Sequence, residues 1–274
     1  MTNIDEKQQD VERLVTAPSG ALLRGLAIIR AIVNAHAPMT QGELADRTGL
    51  DASTTLRLAQ TLVTEGYLVR LEPGKRYCAG PQSLSMLSPY HPLNTFRRET
   101  AEVLQKARDE VGATVALVLF LGSERLIVDM AQGNEGLAPF YDTWLRTPVH
   151  AAASGKILLA SLGPKQKREV LGPLPLVKVA ENTITDLAKL DKELNAIREN
   201  GYSISIGEVH GGMNAVAAAI EHNRSVVGCI VSVGTSTRLP AEDCDHVGTF
   251  LTDAAKLIAA ATPSVRSLAH YVGV

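Results

Sequence analysis

The feature that most constrains this chain is a run of punctuation between residues 38 and 80, where helix-start and helix-stop signals alternate at short spacing. Pro38 blocks continuation of any helix from upstream. Thr40 followed by Glu43 spells a capping box, which predicts a short helix over 41–48 that Gly49 ends. A third helix is expected over 52–65, with Leu56, Ala59, Leu62 and Val63 turned inward and Gly66 as its stop. Two short apolar runs, 67–71 and 76–79, flank Glu72-Pro73-Gly74-Lys75 and read as a hairpin. Upstream, Leu22, Leu23, Leu26, Ile29, Ile32 and Val33 recur at helical spacing and predict one buried face over 20–35.

Two helices, a short turn, a third helix and a hairpin make the plan of a winged helix-turn-helix. Two helices brace a third, whose polar side chains can then enter a major groove. On that third helix Ser53, Thr54, Arg57, Gln60 and Thr61 form the expected exposed set, and hydroxyls and a guanidinium suit both phosphate and base-edge contacts. The hairpin tip offers Lys75 and Arg76. The candidate contacts to double-stranded DNA are Arg24, Gln41, Ser53, Thr54, Thr55, Arg57, Lys75 and Arg76. The competing reading is a three-helix protein-interaction domain with a solvated polar helix, which leaves the basic hairpin tip without a purpose.

Residues 1–18 are polar and aperiodic and read as a tail, 19–80 as the winged domain, 81–92 as a proline-marked linker, and 93–274 as a second domain. In that second domain a helix is expected over 94–111, and strands at 114–121, 125–130, 202–207, 214–221 and 225–234. Connections of three or four residues imply antiparallel pairing. Helices at 151–161, 164–171, 186–200 and 240–262 must then pack on the sheet, giving an α+β domain.

Charge adds a little. The chain of 274 residues has a net charge of −2, while 19–80 carries seven Lys/Arg against five Asp/Glu. Three widely spaced cysteines form neither a metal-ligand pair nor a disulfide framework, which fits a reducing cytoplasm. The polar, acidic start is unlike a secretory signal, and no apolar run reaches the roughly 18 residues that span a bilayer.

Catalytic signatures are missing. The segment His150-Ala-Ala-Ala-Ser-Gly155-Lys156-Ile157 has the Gly-Lys of a phosphate loop but lacks its first glycine and its Ser/Thr after the lysine, so nucleotide hydrolysis is rejected. The histidines have no metal-ligand spacing, and no cofactor is expected. The alternative of a small-metabolite enzyme with an N-terminal oligomerisation domain finds no acid–base or nucleophile–base pair to support it. Residues 150–156 suit two roles equally: a helix N-terminus whose N–H groups and Ser154 take a carboxylate, or tight helix-on-sheet packing. The glycine-rich stretch 207–213 is likewise either a flap or a plain loop.

Taken together, the motifs resemble the IclR family of bacterial transcriptional regulators over about 19–262. The resemblance rests on Leu23-Arg24-Gly25-Leu26-Ala27-Ile28-Ile29, Glu43-Leu44-Ala45 with Thr48-Gly49-Leu50, and Ser53-Thr54-Thr55-Leu56-Arg57-Leu58 with Glu65-Gly66-Tyr67. In the second domain it rests on Pro148-Val149-His150 through Gly155-Lys156, on Gly201-Tyr202, Glu208 and Gly212, and on Val216-Ala217-Ala218-Ala219-Ile220. It implies a linker helix, a GAF-like effector domain, dimers or tetramers, and a palindromic operator. By position it implies an effector pocket of Ala153, Ser154, Ser205, Ala215, Ser232 and Gly234, with Phe140 and Trp144 as an apolar wall and His210 nearby. Ser205 and Ala215 stand where an acidic residue and a cysteine are frequent in the family, and Ala219 where a proline is usual. Such a pocket repels an anion less and admits more bulk, which points to an aromatic or branched monocarboxylate such as a hydroxybenzoate.

Overall fold

The computed structural model describes residues 20–35, 37–84, 91–133 and 145–271. The chain divides into two compact units, Met1–Ser88 and Pro89–Val274.

The first unit contains α1 (Ala21–Val33), α2 (Gln41–Thr48), α3 (Ala52–Thr64), a hairpin of β1 (Leu68–Leu71) and β2 (Arg76–Ala79), and a single turn, α4 (Pro81–Leu84). Local chemistry sets these boundaries. The Thr40 hydroxyl accepts from Glu43 N, and the Glu43 carboxylate accepts from Thr40 N at 2.6 Å, so the capping box is complete. Gly49 closes α2 in the left-handed conformation at φ 65°, where a side chain would be strained. Met39 pairs with Tyr77 through both backbone bonds, adding a third short rung to the hairpin. The core is Ile28, Ala31, Ile32, Met39, Leu44, Leu50, Ala59, Leu68 and Tyr77.

The face of α1 differs from expectation. Leu22 is 75% exposed, and Leu23, Leu26 and Val33 are exposed as well, while Ile28, Ala31 and Ile32 are buried. Of the expected face Ile32 is buried and Ile29 half-buried, so two apolar stripes share this helix and periodicity alone mixes them. On α3 the inward face is Thr55 and Ala59, with Leu58, Leu62 and Val63 packed beside them.

The second unit contains α5 (Pro92–Val111), β3 (Thr114–Leu121), β4 (Glu124–Ala131), α6 (Ala153–Ser161), α7 (Pro164–Leu171), α8 (Leu187–Asn200), β5 (Tyr202–Ile206), β6 (Met213–His222), β7 (Ser225–Thr235), α9 (Cys244–Ala261) and α10 (Ser264–Tyr271). The five strands run in the order β4-β3-β7-β6-β5, antiparallel throughout. Asn223 and Arg224, both at positive φ, make the tight turn between β6 and β7. One face of the sheet packs Val115, Leu117, Val216 and Ile230 against α5, α9 and α10. The other packs Ala116, Val118, Ala217 and Val231 against α6 and α8. The helix α10 was not anticipated; it buries Val265 and Leu268, and Ser264 donates to Glu99 of α5 at 2.6 Å. No described helix is long and apolar enough to cross a membrane.

Candidate DNA-reading face and effector core

In the first unit, Asp51 decides where α3 begins. Its carboxylate accepts from Ser53 Oγ at 2.6 Å and from Thr54 N at 2.8 Å, and these bonds hold it well below the usual carboxylate range. The Gln41 side chain donates to Ala52 O at 2.7 Å, which ties the start of α2 to the start of α3. Ser53, Arg57, Gln60 and Thr61 are exposed and Thr54 is half-buried. Thr55 is not available to DNA: it is fully buried, and its hydroxyl donates to Asp51 O at 2.9 Å. Lys75 sits exposed in the hairpin turn. Arg76 is exposed too, but it donates to Pro38 O at 2.8 Å and pairs with Glu43 at 3.4 Å, so it also braces the α2 cap against the hairpin. Arg24 is half-buried on α1.

In the second unit, α6 lies tight on the sheet. A Cβ on Gly155 would come within 2.2 Å of Val149 O, so only glycine lets the segment before α6 fold back against the helix's first turn. Ser203 Oγ donates to Ala153 O at 2.7 Å and Ser205 Oγ to Ala151 O at 2.8 Å, hanging the segment before and at the start of α6 on β5. Ser154 Oγ accepts from Arg125 Nη1 at 3.1 Å. Ala153, Ser154, Ser205 and Ala215 thus gather on one face of the sheet.

Ser232 and Gly234 do not join them. Side chains alternate along a strand, and it is Val231 and Val233 that share the face of Ala215. Ser232 points to the opposite face, beside Val115 and Val216 in register, where its buried hydroxyl has no hydrogen-bond partner. Gly234 lies on that opposite face as well, near Ala113 and Leu239. His210 is exposed, with Nδ1 against Gly211 O. Phe140 and Trp144 lie outside the described residues.

Three charged residues escaped the sequence reading as partners. Lys156, fully buried within α6, reaches Glu208 Oε1 at 2.5 Å, Glu193 at 3.0 Å and the Ile204 carbonyl at 3.2 Å. Burial pushes Glu208 above the ordinary carboxylate range, with Glu193 adding repulsion and Lys156 opposing both. Lys156 and Glu208 stand in the stretches that carry the family resemblance, yet they act as a buried ion cluster joining α6 to α8 and to the segment after β5. The fourth is Arg125, the second residue of β4 and 2% exposed, whose loss of solvent lowers its pKa to about 10. Cys229 on the same face is a buried thiol pushed up to about 12, chiefly by desolvation, and so is unreactive. Among the described residues no group of three His, Cys, Asp or Glu is placed to hold a metal ion.

A small capped reading head, followed by a unit with a five-stranded antiparallel sheet between helices, defines a two-part DNA-binding regulator. Residues 21–72 match the IclR helix-turn-helix domain, and residues 94–260 match the bacterial transcriptional regulator IclR C-terminal domain. The chain therefore belongs to the IclR family of bacterial transcriptional regulators. It is 25% identical over 260 residues to the transcriptional repressor IclR of Escherichia coli K12, covering 92% of this chain and 95% of that one. Among solved structures it resembles the IclR of Thermotoga maritima, with a TM-score of 0.70 and 25% identity over 90% of this chain and 98% of the other. It also shares its fold with an IclR homolog from Microbacterium hydrocarbonoxydans complexed with 4-hydroxybenzoate, with a TM-score of 0.74 and 22% identity over 90% and 100%. These relatives are regulators, not enzymes.

Proposed function

We propose that this chain is a cytoplasmic, homo-oligomeric regulator whose affinity for a palindromic operator is set by a small organic acid, of the aromatic monocarboxylate class. The observation that carries this reading is the character of the sheet face beneath α6. Ala215, Val231 and Val233 make it apolar, and Ser154 stands at its polar end. An apolar surface with few fixed polar groups suits a ring bearing one carboxylate. The hydroxybenzoate complex of the Microbacterium hydrocarbonoxydans homolog supports the same class.

Operator reading falls to Ser53, Thr54 and Arg57 on α3, with Lys75 and Arg76 at the hairpin and Arg24 and Gln41 toward the backbone. Two such heads in a two-fold assembly would read two half-sites. Effector binding then shifts the population of head arrangements, and a coupling of about 1–3 kcal/mol gives a roughly 5–150-fold response.

The test is fluorescence anisotropy of a labelled duplex from just upstream of this chain's own gene, at several salt concentrations, with and without acids. Saturable binding above scrambled DNA, weakening steeply with salt and altered by a benzoate, is the expected result. A response to short keto acids with none to benzoates would overturn the aromatic class. Equal binding to both duplexes would overturn sequence-selective reading of that site.

A further inference from the structure

Arg125 belongs to none of the roles given so far, and its surroundings are unusual for a buried cation. Every hydrogen bond it makes to a described residue goes to a neutral acceptor. Nη1 donates to Ser154 Oγ at 3.1 Å, and Nη2 donates to Leu145 O at 3.2 Å, to Thr147 O and to Thr147 Oγ1 at 3.4 Å. No described carboxylate lies within ion-pair distance of it. Lys156 on the same face, by comparison, has two. A buried ion is ordinarily matched by an opposite charge, because neutral dipoles replace only part of its lost hydration.

The guanidinium also forms part of a cleft of about 440 Å³, which Leu145, Arg146, Thr147, His150, Glu124 and Glu169 line with it. That volume is within the range that holds a small organic ligand. The cleft's two carboxylates, Glu124 and Glu169, are exposed, so water and salt screen them. Arg125 is buried and not screened in this way, and the neighbouring Glu124 charge opposes the effect of its burial. Behind the guanidinium, Ser154 in the first turn of α6 is one of the neighbours that hold it in place.

We propose that Arg125 is the anchor for the effector's carboxylate, reached through this cleft, so that the second unit selects acids over their neutral analogues. The inference rests on reading the second unit as the effector-binding one and assigns the residue that enforces that choice. Three neighbours brace the guanidinium through Nη1 and Nη2, so a carboxylate meets a cation held in one place, which a lysine ammonium without those braces does not reproduce.

The experiment is calorimetric titration of the full chain and of its R125L and R125K variants with sodium benzoate, sodium pyruvate and benzamide, alongside operator anisotropy with the same compounds. The wild type is expected to bind at least one acid and not the amide, R125L to lose at least tenfold in affinity, and R125K to fall between. Pyruvate binding that depends on Arg125, with no benzoate binding, leaves the anchor standing and removes only the aromatic class. An acid that changes operator affinity equally in wild type and R125L keeps the effector reading and overturns the anchor. Benzamide binding as tightly as benzoate, or no acid binding to the wild type, overturns it too. Should R125L fail to fold by circular dichroism, R125K decides: undiminished acid affinity there refutes a role for the braced guanidinium.

Discussion

The two units solve the problem of placing polar groups in opposite ways. In the first, the working side chains are exposed and close together in sequence, and the caps that position them are nearby too: Asp51 caps the helix bearing Ser53 and Arg57. In the second, the polar groups are buried and gathered from distant positions, as where Lys156 meets Glu193 and Glu208. The reading head must leave its donors facing solvent until DNA arrives, and short-range caps can order it without burying them. A sensing core must exclude water from its site, so each buried charge needs partners that only the tertiary fold can bring. The difference teaches that loss of one side chain should act mainly on binding in the first unit and mainly on stability in the second.

The sharpest way to break that contrast is Lys156→Met. It leaves the buried Glu208 without its cation beside the half-buried Glu193, and removing one partner of a buried pair typically costs about 3–5 kcal/mol. Urea unfolding of the full chain measures it, and a loss below about 1 kcal/mol would show that the cluster is hydrated. Arg57→Ala sits at the other pole. It is expected to weaken operator binding about tenfold, equivalent to about 1.4 kcal/mol, with an unchanged unfolding midpoint. A lowered midpoint with unaltered operator affinity would remove α3 as the reading helix.

Acidification should separate the units through two carboxylates of opposite sign. Hydrogen bonds depress Asp51, so its contribution to the fold is present above the ordinary carboxylate pKa and is lost as pH falls through the depressed one. Glu208 is raised by burial, so its contribution is fully present below the ordinary value and is lost as pH rises through the raised one. Between about pH 7 and 5, hydrogen-exchange protection of β5 and β6 should therefore rise more in wild type than in E208Q, while α3 shows no such difference. The smallest effect is expected of Ser232→Ala. Deleting an unpartnered buried hydroxyl should be neutral or stabilise by up to about 1 kcal/mol, and a clear destabilisation would mean that an ordered water satisfies it.

What the sequence disclosed follows the same division. Caps, turns and strands were legible because their signals are local: Thr40 and Glu43 stand three residues apart, and the β6–β7 turn is bounded by the strands it joins. The face of α1 was not, since Leu22, Leu26 and Val33 are as periodic as the residues that fill the core. The pocket positions on β7 failed by parity. A strand has a period of two, so a step of one residue, from Val231 to Ser232, moves a side chain to the other side of the sheet. Thr55 looked like its hydroxyl-bearing neighbours, and only its place against Ala59 on the inner face of α3 removes it from the DNA-facing set. The buried charges gave a faint sign of themselves, a lysine leading the apolar run Ile157–Ala160 of α6 and an arginine beside the apolar run Leu126–Val128 of β4. Their partners lie up to 52 residues away, beyond the reach of any spacing rule.

The cluster around Lys156 also has a bearing on which sequences could replace this one over generations. One base served by two acids is a redundant arrangement: a change at the partly exposed Glu193 leaves the lysine matched by Glu208, and the chain can drift there. Among the described residues no second base pairs with either glutamate. The acids are exchangeable and the base is not, so a substitution at 156 becomes tolerable only after one of the glutamates has already gone.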